Sequence, residues 1–509
     1  MTKVYLAVTI GPIIDTLDLA TYPAALWYAS SMFSYLTGRL CERFRNELGA
    51  CIISPYYAPT PAERHQDENG FFTEGAGLFH DRIFCAVETE DIDALKDRVN
   101  TCVTDVRAEM KENIYLNKQA EGYLNIHYLL IPAQQVQQEQ KNCVLALSDY
   151  LDGLELCPAF RTEAQDEPLL SIFKKKENDE LKNSPMLKAV KPAVLTEPNR
   201  KSLRAIDSIC GYQKHPDWQR QNYFAVVQAD GDSMREVLEK KRTDEDVTEF
   251  SRSCLDYAME AAQLVHSFGA MPIYAGGDDL LFLSPVVNRE GNSVFQLCQA
   301  LSTLYDEKLN KGVEGVKTSL SFGVSIQFYK FPLYEALNRA RDLLLHKAKK
   351  FCQAGDKPTK NCMAIQLEKH SGRCFALCVE MGHVKAFNEM LFYAPKKEKA
   401  DGENEAADEL LQSVPYHLEQ GAQFFQLLDE RPDLPEDRYL TFLRNYLKRS
   451  EDDPQDGYLQ EIAKYYRDEI FPRHCQSETV KEDDYEPLRA LINVLRLNQF
   501  LNERGGGED

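Results

Sequence analysis

The 509-residue sequence has no surplus of basic charge: 59 lysines and arginines stand against 80 aspartates and glutamates, a formal net charge of −21. That balance excludes a protein that wraps nucleic acid with its own surface, because binding to phosphate backbones is dominated by lysine and arginine. Little direct nucleic-acid binding is expected, apart from local patches at Lys174–Lys176, Lys182–Lys191 and Lys347–Lys350. The chain also lacks any uninterrupted apolar run approaching membrane-span length and any signal-peptide or arginine-rich leader pattern. No membrane partner is therefore expected, and the expected location is cytoplasmic. There is no Cys-x-x-Cys. The 14 cysteines are scattered, several of them (Cys85, Cys102, Cys254, Cys298) inside apolar segments, as reduced buried thiols are. Cys210 with His215, and Cys374 with Cys378, have poor spacing for structural zinc.

What is present is concentrated in Tyr274-Ala-Gly-Gly-Asp-Asp279. Met271–Ala275 and Leu280–Leu283 read as two strands joined by a tight turn, which needs residues that tolerate positive φ, and glycine does so without steric cost. Gly276 and Gly277 also remove side chains where a triphosphate would approach the backbone. Asp278 and Asp279 offer hard oxygen ligands suited to magnesium or manganese. Alone, such a turn is an ordinary solvated hairpin. The context changes that reading, because Tyr223-Phe-Ala-Val-Val-Gln-Ala-Asp230-Gly-Asp232 is an apolar strand ending in carboxylates. Between the two motifs, Thr248–Phe268 carries apolar residues at helical spacing. A strand, crossover helix and hairpin bring Asp230 beside Asp278 and Asp279, a cluster able to hold two divalent ions about 4 Å apart. Asp232 is a further candidate carboxylate, with capping of the helix at Ser233 as its alternative role.

The expected fold class is α+β, with two ferredoxin-like palm domains of βαββαβ order, a helical connector and a helical C-terminal domain. Residues 1–135 form the first palm: strands Val4–Ile10, Cys51–Pro55, Arg82–Val87 and Tyr123–Ile131, with helices Ala24–Glu47 and Asp91–Lys111. Its hairpin carries Gly75-Ala-Gly-Leu-Phe-His-Asp81 instead of paired carboxylates, so this palm is expected to be non-catalytic. His80-Asp81 opens a strand and lacks the further histidines and aspartates that a metal phosphohydrolase requires. Residues 136–220 are a partly helical connector, with a helical pattern around Val144–Leu156. Residues 221–370 are the second palm, continuing through helix Ser293–Asn310, strand Thr318–Gln327, helix Leu333–Lys350 and strand Met363–Glu368. Residues 371–509 are helix-rich, with a packing or partner-contact role.

These motifs resemble one family, the large polymerase-like subunit of type III CRISPR effector complexes, III-B type. The resemblance is carried by Ile10-Gly11-Pro12, Leu26-Trp-Tyr-Ala-Ser30, Lys201-Ser-Leu-Arg-Ala-Ile206, Asp230-Gly-Asp-Ser-Met234 and Gly276-Gly-Asp-Asp279. It continues through Ser321-Phe-Gly323, Lys330-Phe-Pro-Leu333 and Lys360-Asn-Cys-Met-Ala-Ile365, running to His370-Ser-Gly372. The carboxylate motifs alone are shared with diguanylate cyclases; the ordered set is specific.

The resemblance implies a nucleotidyltransferase of antiviral defence that polymerises ATP when target RNA is bound, with guide RNA and other effector subunits as partners. Its product is a signalling nucleotide, either a cyclic oligoadenylate or AMP joined to S-adenosylmethionine. It implies Asp230, Asp278 and Asp279 as ligands of two magnesium or manganese ions, and Asp278 as ligand or proton acceptor. Gly276, Gly277, Ser321 and Lys349 would contact the nucleotide.

The sequence departs from the family in three places. It opens directly on the first palm, without the HD nuclease domain, so no HD nuclease activity is expected. The zinc cysteines between the palms are not recognisable. Arg235 stands where glycine is usual, and the Gly11-Pro12 segment lacks the usual basic residues. Two other functions fit parts of the pattern: a stand-alone diguanylate-type cyclase using GTP without RNA, and a non-catalytic architectural subunit docking basic neighbours.

Overall fold

A computed structural model describes residues 1–60, 62–63, 76–113, 123–138, 141–156, 206–210, 218–310, 315–351, 360–393, 403–431, 433–474 and 486–503. Most of the expected connector, including two of the lysine patches and Lys201–Ala205, lies outside the described residues, as do Gly75 and His215.

The first four strands are β1 (Thr2–Gly11), β2 (Cys51–Ser54), β3 (Arg82–Thr89) and β4 (Asn125–Pro132), in the spatial order β2-β3-β1-β4. All pairings are antiparallel, with Leu6 opposite both Cys85 and Leu130. This is the ferredoxin-like order that βαββαβ connectivity generates. Helix α1 (Pro23–Leu48) starts on a proline in its first turn and stops at Gly49, whose φ of 68° is the left-handed conformation of a helix C-cap. It is buried almost all round, from Ala25 to Cys41, because it packs on helix α2 (Ile92–Asn113) and also on the strand Met271–Gly276 of the second sheet.

The second sheet contains β5 (Tyr223–Asp232), β6 (Met271–Gly276), β7 (Asp279–Pro285), β8 (Ser319–Phe328), β9 (Cys362–Glu368) and β10 (Cys374–Glu380), in the order β10-β9-β8-β5-β7-β6. Its β8-β5-β7-β6 portion repeats the ferredoxin-like order of the first sheet. β9 then joins parallel to β8, and β10 pairs antiparallel with β9. Phe224 to Val227 are fully buried, as expected for a central strand covered on both faces.

Helices α3 (Asp244–Ser267) and α4 (Val294–Leu309) both begin in capping boxes, Thr243 with Asp246 and Ser293 with Gln296. Helix α5 (Leu333–His346) crosses β8 at Gly323, where a Cβ would run into the backbone carbonyl of Ala340 and lie 2.6 Å from the backbone nitrogen of Leu344.

Three details differ from the sequence expectation. The helix Cys143–Glu155 is more than a link between the palms: its Cys143, Ala146, Leu147 and Leu151 pack with Tyr5, Ala7, Phe84 and Val136 and close the second face of the first sheet, with Val247 of α3 in the same cluster. An apolar sheet face must be covered, and the helix next in sequence covers it. β10 extends the hydrogen-bonded sheet past the expected boundary at 370. Finally, α5 ends at His346 and a short 3₁₀ turn, Ala348–Lys350, follows. The C-terminal helices, among them Val384–Phe392, Asp456–Tyr465 and Glu486–Asn502, pack into the same continuous hydrophobic core as both sheets.

Candidate active site

Strand register brings the carboxylates together. Ala229 of β5 pairs with Leu280 of β7, so the next residue, Asp230, lies beside Asp279 at the open end of the sheet. Gly276 pairs with Asp279, leaving Gly277 and Asp278 as the two turn residues. One carboxylate oxygen from each of Asp230, Asp278 and Asp279 lies within 4.8 Å of the others. Among the described residues this is the one group of three or more metal-ligating side chains so arranged.

The two glycines serve different steric purposes. Gly277 has a φ of 69°, which a residue with a side chain adopts only at a cost. Gly276 has no such backbone, but a Cβ there would collide with the ring of Tyr274, which folds back over it.

Asp278 does not point freely into solvent. It is half-buried against Gly231, with the hydroxyl of Tyr305 on the same spot. Burial, followed by the charge of Asp230, pushes its carboxyl up to about 6. Asp279 reaches the surface, yet the protein around it and then the charge of Asp278 hold its carboxyl well above the usual range. Adjacent carboxylates that resist ionising together are relieved by a cation between them.

Lys349 enters from the 3₁₀ turn after α5. Its Nζ donates to the Gly231 carbonyl at 2.5 Å and lies 3.0 Å from Asp230 Oδ2 and 3.2 Å from Asp232 Oδ1. Burial alone would lower its pKa, but Asp230 and Asp232 more than reverse this and raise it.

Asp232 is not a helix cap. The N-cap is Ser233, in the left-handed region at φ 57°, and its side chain makes no capping bond. Asp232 is 2% exposed, and its Oδ2 accepts from Ser319 Oγ at 2.7 Å, Ser321 Oγ at 2.7 Å and the Asn361 N–H at 3.1 Å. The side chain folds inward because β8 presents two hydroxyls there, from Ser319 opposite Asp232 and Ser321 opposite Asp230. Ser321 is thus fully buried with its hydroxyl committed to Asp232, a different place from the nucleotide contact expected of it.

The first palm reaches this turn. The Ala275 N–H donates to the Gly77 carbonyl at 2.9 Å, and His80 lies beside Gly277. His80 bonds Ser54 Oγ at 3.1 Å, and Ser251 Oγ of α3 accepts from the Tyr56 N–H at 2.8 Å. Burial, then the nearby Arg82 charge, lowers the His80 pKa to about 4, so it is a neutral packing group at neutral pH. Sequence reasoning overlooked Gly231, Tyr305, Ser319 and Asn361. Only the Asp-Gly-Asp spacing signalled Gly231, whose neighbours demand a missing side chain.

Residues 223–363 match the Cas10/Cmr2 second palm domain family, and residues 5–115 match the N-terminal family of the CRISPR-associated protein Cmr2. The CRISPR system Cmr subunit Cmr2 of Pyrococcus furiosus is 28% identical over 32% of this chain and 21% of its own length. The match therefore spans about a fifth of that relative. Among solved structures, the type III-B Cmr-beta complex in its apo state contains a chain that aligns with a TM-score of 0.57 at 10% identity, over 98% of this chain and 81% of that one. A Csm1–Csm4 cassette with AMPPNP aligns with a TM-score of 0.55 at 14% identity, over 98% and 70%. At these identities the structural matches establish a shared fold. The family matches bear out the resemblance that the motifs carry: the chain is a relative of the Cas10/Cmr2 large subunits. No described helix is long and apolar enough to cross a membrane.

Proposed function

We propose that this relative of the Cas10/Cmr2 subunits is a divalent-metal-dependent nucleotidyltransferase that uses ATP, acting within a type III CRISPR effector complex that carries guide RNA and binds target RNA. Its product is a signalling nucleotide, cyclic oligoadenylate or AMP joined to S-adenosylmethionine. The observation that carries this reading is the convergence of Asp230, Asp278 and Asp279 on one locus at the end of the second palm sheet. The AMPPNP-bound Csm1–Csm4 cassette, which shares the fold, supports ATP as the substrate.

The donor set fits magnesium or manganese: three carboxylates, all hard oxygen ligands, two of them already resisting ionisation in each other's presence. Such ions would supply Lewis acidity for activating a 3′-hydroxyl and for neutralising the α-phosphate and leaving pyrophosphate. The chain's own groups do the rest. With its carboxyl near 6, Asp278 is a ligand or acceptor for the hydroxyl proton at neutral pH. Lys349 provides positive charge for a phosphate at the edge of the cluster. Gly277 leaves room for a triphosphate at the turn, whereas the space a side chain at Gly276 would take is filled by the Tyr274 ring, a different role from the nucleotide contact expected of it.

In this reading residues 1–135 are a non-catalytic palm that buttresses the turn through Gly77 and His80, and residues 136–220 are the connector. Residues 221–370 carry the chemistry, and residues 371–509 serve packing and partner contact. The experiment is reconstitution with guide and target RNA, ATP and magnesium or manganese, with and without S-adenosylmethionine, the products being read by mass spectrometry. A new species that requires the methionine derivative assigns the conjugate. One that forms from ATP alone assigns oligoadenylate, and absence of either rejects the reading.

A further inference from the structure

We propose that Lys349 is a tethered counter-cation of the metal cluster: its ammonium neutralises Asp230 in the metal-free chain, is displaced from Asp230 by the incoming divalent ion, and is retained at the site by Asp232. This deepens the nucleotidyltransferase reading and rests on it.

The ammonium lies in an oxygen cage of the kind a cation seeks. The Gly231 carbonyl is at 2.5 Å, Asp230 Oδ2 at 3.0 Å and Asp232 Oδ1 at 3.2 Å, and the side chain is only 15% exposed. Asp230 belongs to two constellations at once, this cage and the carboxylate trio. A divalent ion on the trio would stand a few Å from the ammonium, and two like cations at that separation repel strongly even when partly screened.

The two aspartates hold the lysine on different terms. Asp230 is half-buried and has Asp278 and Asp279 beside it to share an ion. Asp232 has no such alternative. Its Oδ2 is taken by Ser319, Ser321 and the Asn361 amide, while its buried Oδ1 makes no hydrogen bond among the described residues and faces the charge of Lys349 at 3.2 Å. A buried carboxylate oxygen stripped of its counter-charge is costly, so the pair Asp232–Lys349 persists when Asp230 is given up.

The backbone around Asp232 is set for this role. Lys360 and Asn361 both adopt positive φ, 55° and 48°, and thereby aim the Asn361 N–H at Asp232. Non-glycine residues rarely hold that conformation, and such strain concentrates at functional positions. Thr318 Oγ1 further pins the Asp232 carbonyl at 2.6 Å. Asp232 is thus a positioning residue: it keeps the ammonium on a fixed pivot from which a four-carbon stem can turn from Asp230 toward a nucleotide phosphate.

The test uses the full chain without RNA or nucleotide, titrated with Mn²⁺, with free ion counted by electron paramagnetic resonance. Wild type is compared with Lys349→Met, Lys349→Arg and the double variant Asp278→Ala/Asp279→Ala. The proposal expects Lys349→Met to bind Mn²⁺ more tightly by on the order of tenfold, Lys349→Arg to stay near wild type, and the double variant to lose binding. If Lys349→Met binds equally or more weakly while the double variant loses binding, the counter-cation is refuted and the metal site stands. If the double variant binds Mn²⁺ like wild type, the metal-site reading falls and takes this proposal with it.

A second measurement avoids substitution altogether. Acetylation of the wild-type chain by an amine-reactive ester, read by peptide mass spectrometry, should modify Lys349 several-fold faster once Mn²⁺ is added. The exposed Lys347 and Lys350 should be unchanged. Unchanged protection of Lys349 under saturating Mn²⁺ refutes displacement.

Discussion

Asp278 packs directly against the α-carbon of Gly231: a Cβ at position 231 would sit 2.6 Å from Asp278 Oδ2 and 2.5 Å from the Tyr305 hydroxyl. The glycine between the two aspartates of Asp230-Gly-Asp232 therefore makes room for a carboxylate contributed by the hairpin about 45 residues later. Replacing Gly231 with alanine should push Asp278 out of its seat. Nucleotide synthesis in a reconstituted complex should fall by about 100-fold, the scale on which a misplacement of about 1 Å is felt. Stability should fall by about 1–3 kcal/mol, measured by chemical denaturation.

The Asp278 carboxyl sits up near 6 in the folded chain against 3.8 for the free group. A carboxyl raised in the folded state contributes stability that is fully present below its unfolded value and is lost as pH rises through the folded one. Metal-free protein should therefore lose thermal stability as pH rises from about 4 to above 6, and Asp278→Asn should flatten that slope. Mn²⁺ binding should run the other way, weakening as pH falls through about 6, because a protonated carboxyl does not ligate. Melting curves in chelator and in Mn²⁺ across that range check both signs.

Gly323 on β8 lies directly beneath α5, with the carbonyl of Ala340 and the nitrogen of Leu344 where a methyl would go. The obstacle is backbone and not the end of a flexible side chain, so Gly323→Ala must lift the helix from the sheet. A loss of about 1–3 kcal/mol or more is expected by denaturation. Since α5 leads into the turn that carries Lys349, the Michaelis constant for ATP should rise as well.

Tyr257 on α3 is completely buried beside Tyr305, and its hydroxyl has no hydrogen-bond partner among the described residues. An unsatisfied buried hydroxyl costs roughly 1–3 kcal/mol. Tyr257→Phe should then leave the chain as stable as wild type, or more stable by about 1 kcal/mol, in urea titrations. A clear loss of stability would mean that the hydroxyl makes a bond to Asp278 or water in solution.

Much of the second palm is legible in local pattern. The apolar run Tyr223–Ala229, the two-glycine hairpin and the helical spacing between them suffice to place Asp230 beside Asp278 and Asp279, because strand pairing follows from connectivity. The surroundings of Asp232 are not legible that way. Its partners Ser319, Ser321, Asn361 and Lys349 lie about 90 to 130 residues downstream, and only the register of β8 and β9 decides that they converge. An aspartate before a short helix is locally indistinguishable from a cap. Likewise, the amphipathic helix Cys143–Glu155 announces that it must pack, but not that its counterpart is the uncovered face of the first sheet. The paired glycines read correctly as a turn, while the reason for Gly276, the ring of Tyr274 above it, required the third dimension.

The central claim is that the carboxylate cluster of the second palm makes a nucleotide product from ATP. The most direct test measures conversion of labelled ATP by complexes reconstituted with guide and target RNA, comparing wild type with Asp278→Ala/Asp279→Ala after both are shown to assemble equally. The account predicts a metal-dependent product in wild type and its reduction by at least about a thousandfold in the variant. Equal product from both would contradict it and leave the chain an architectural subunit.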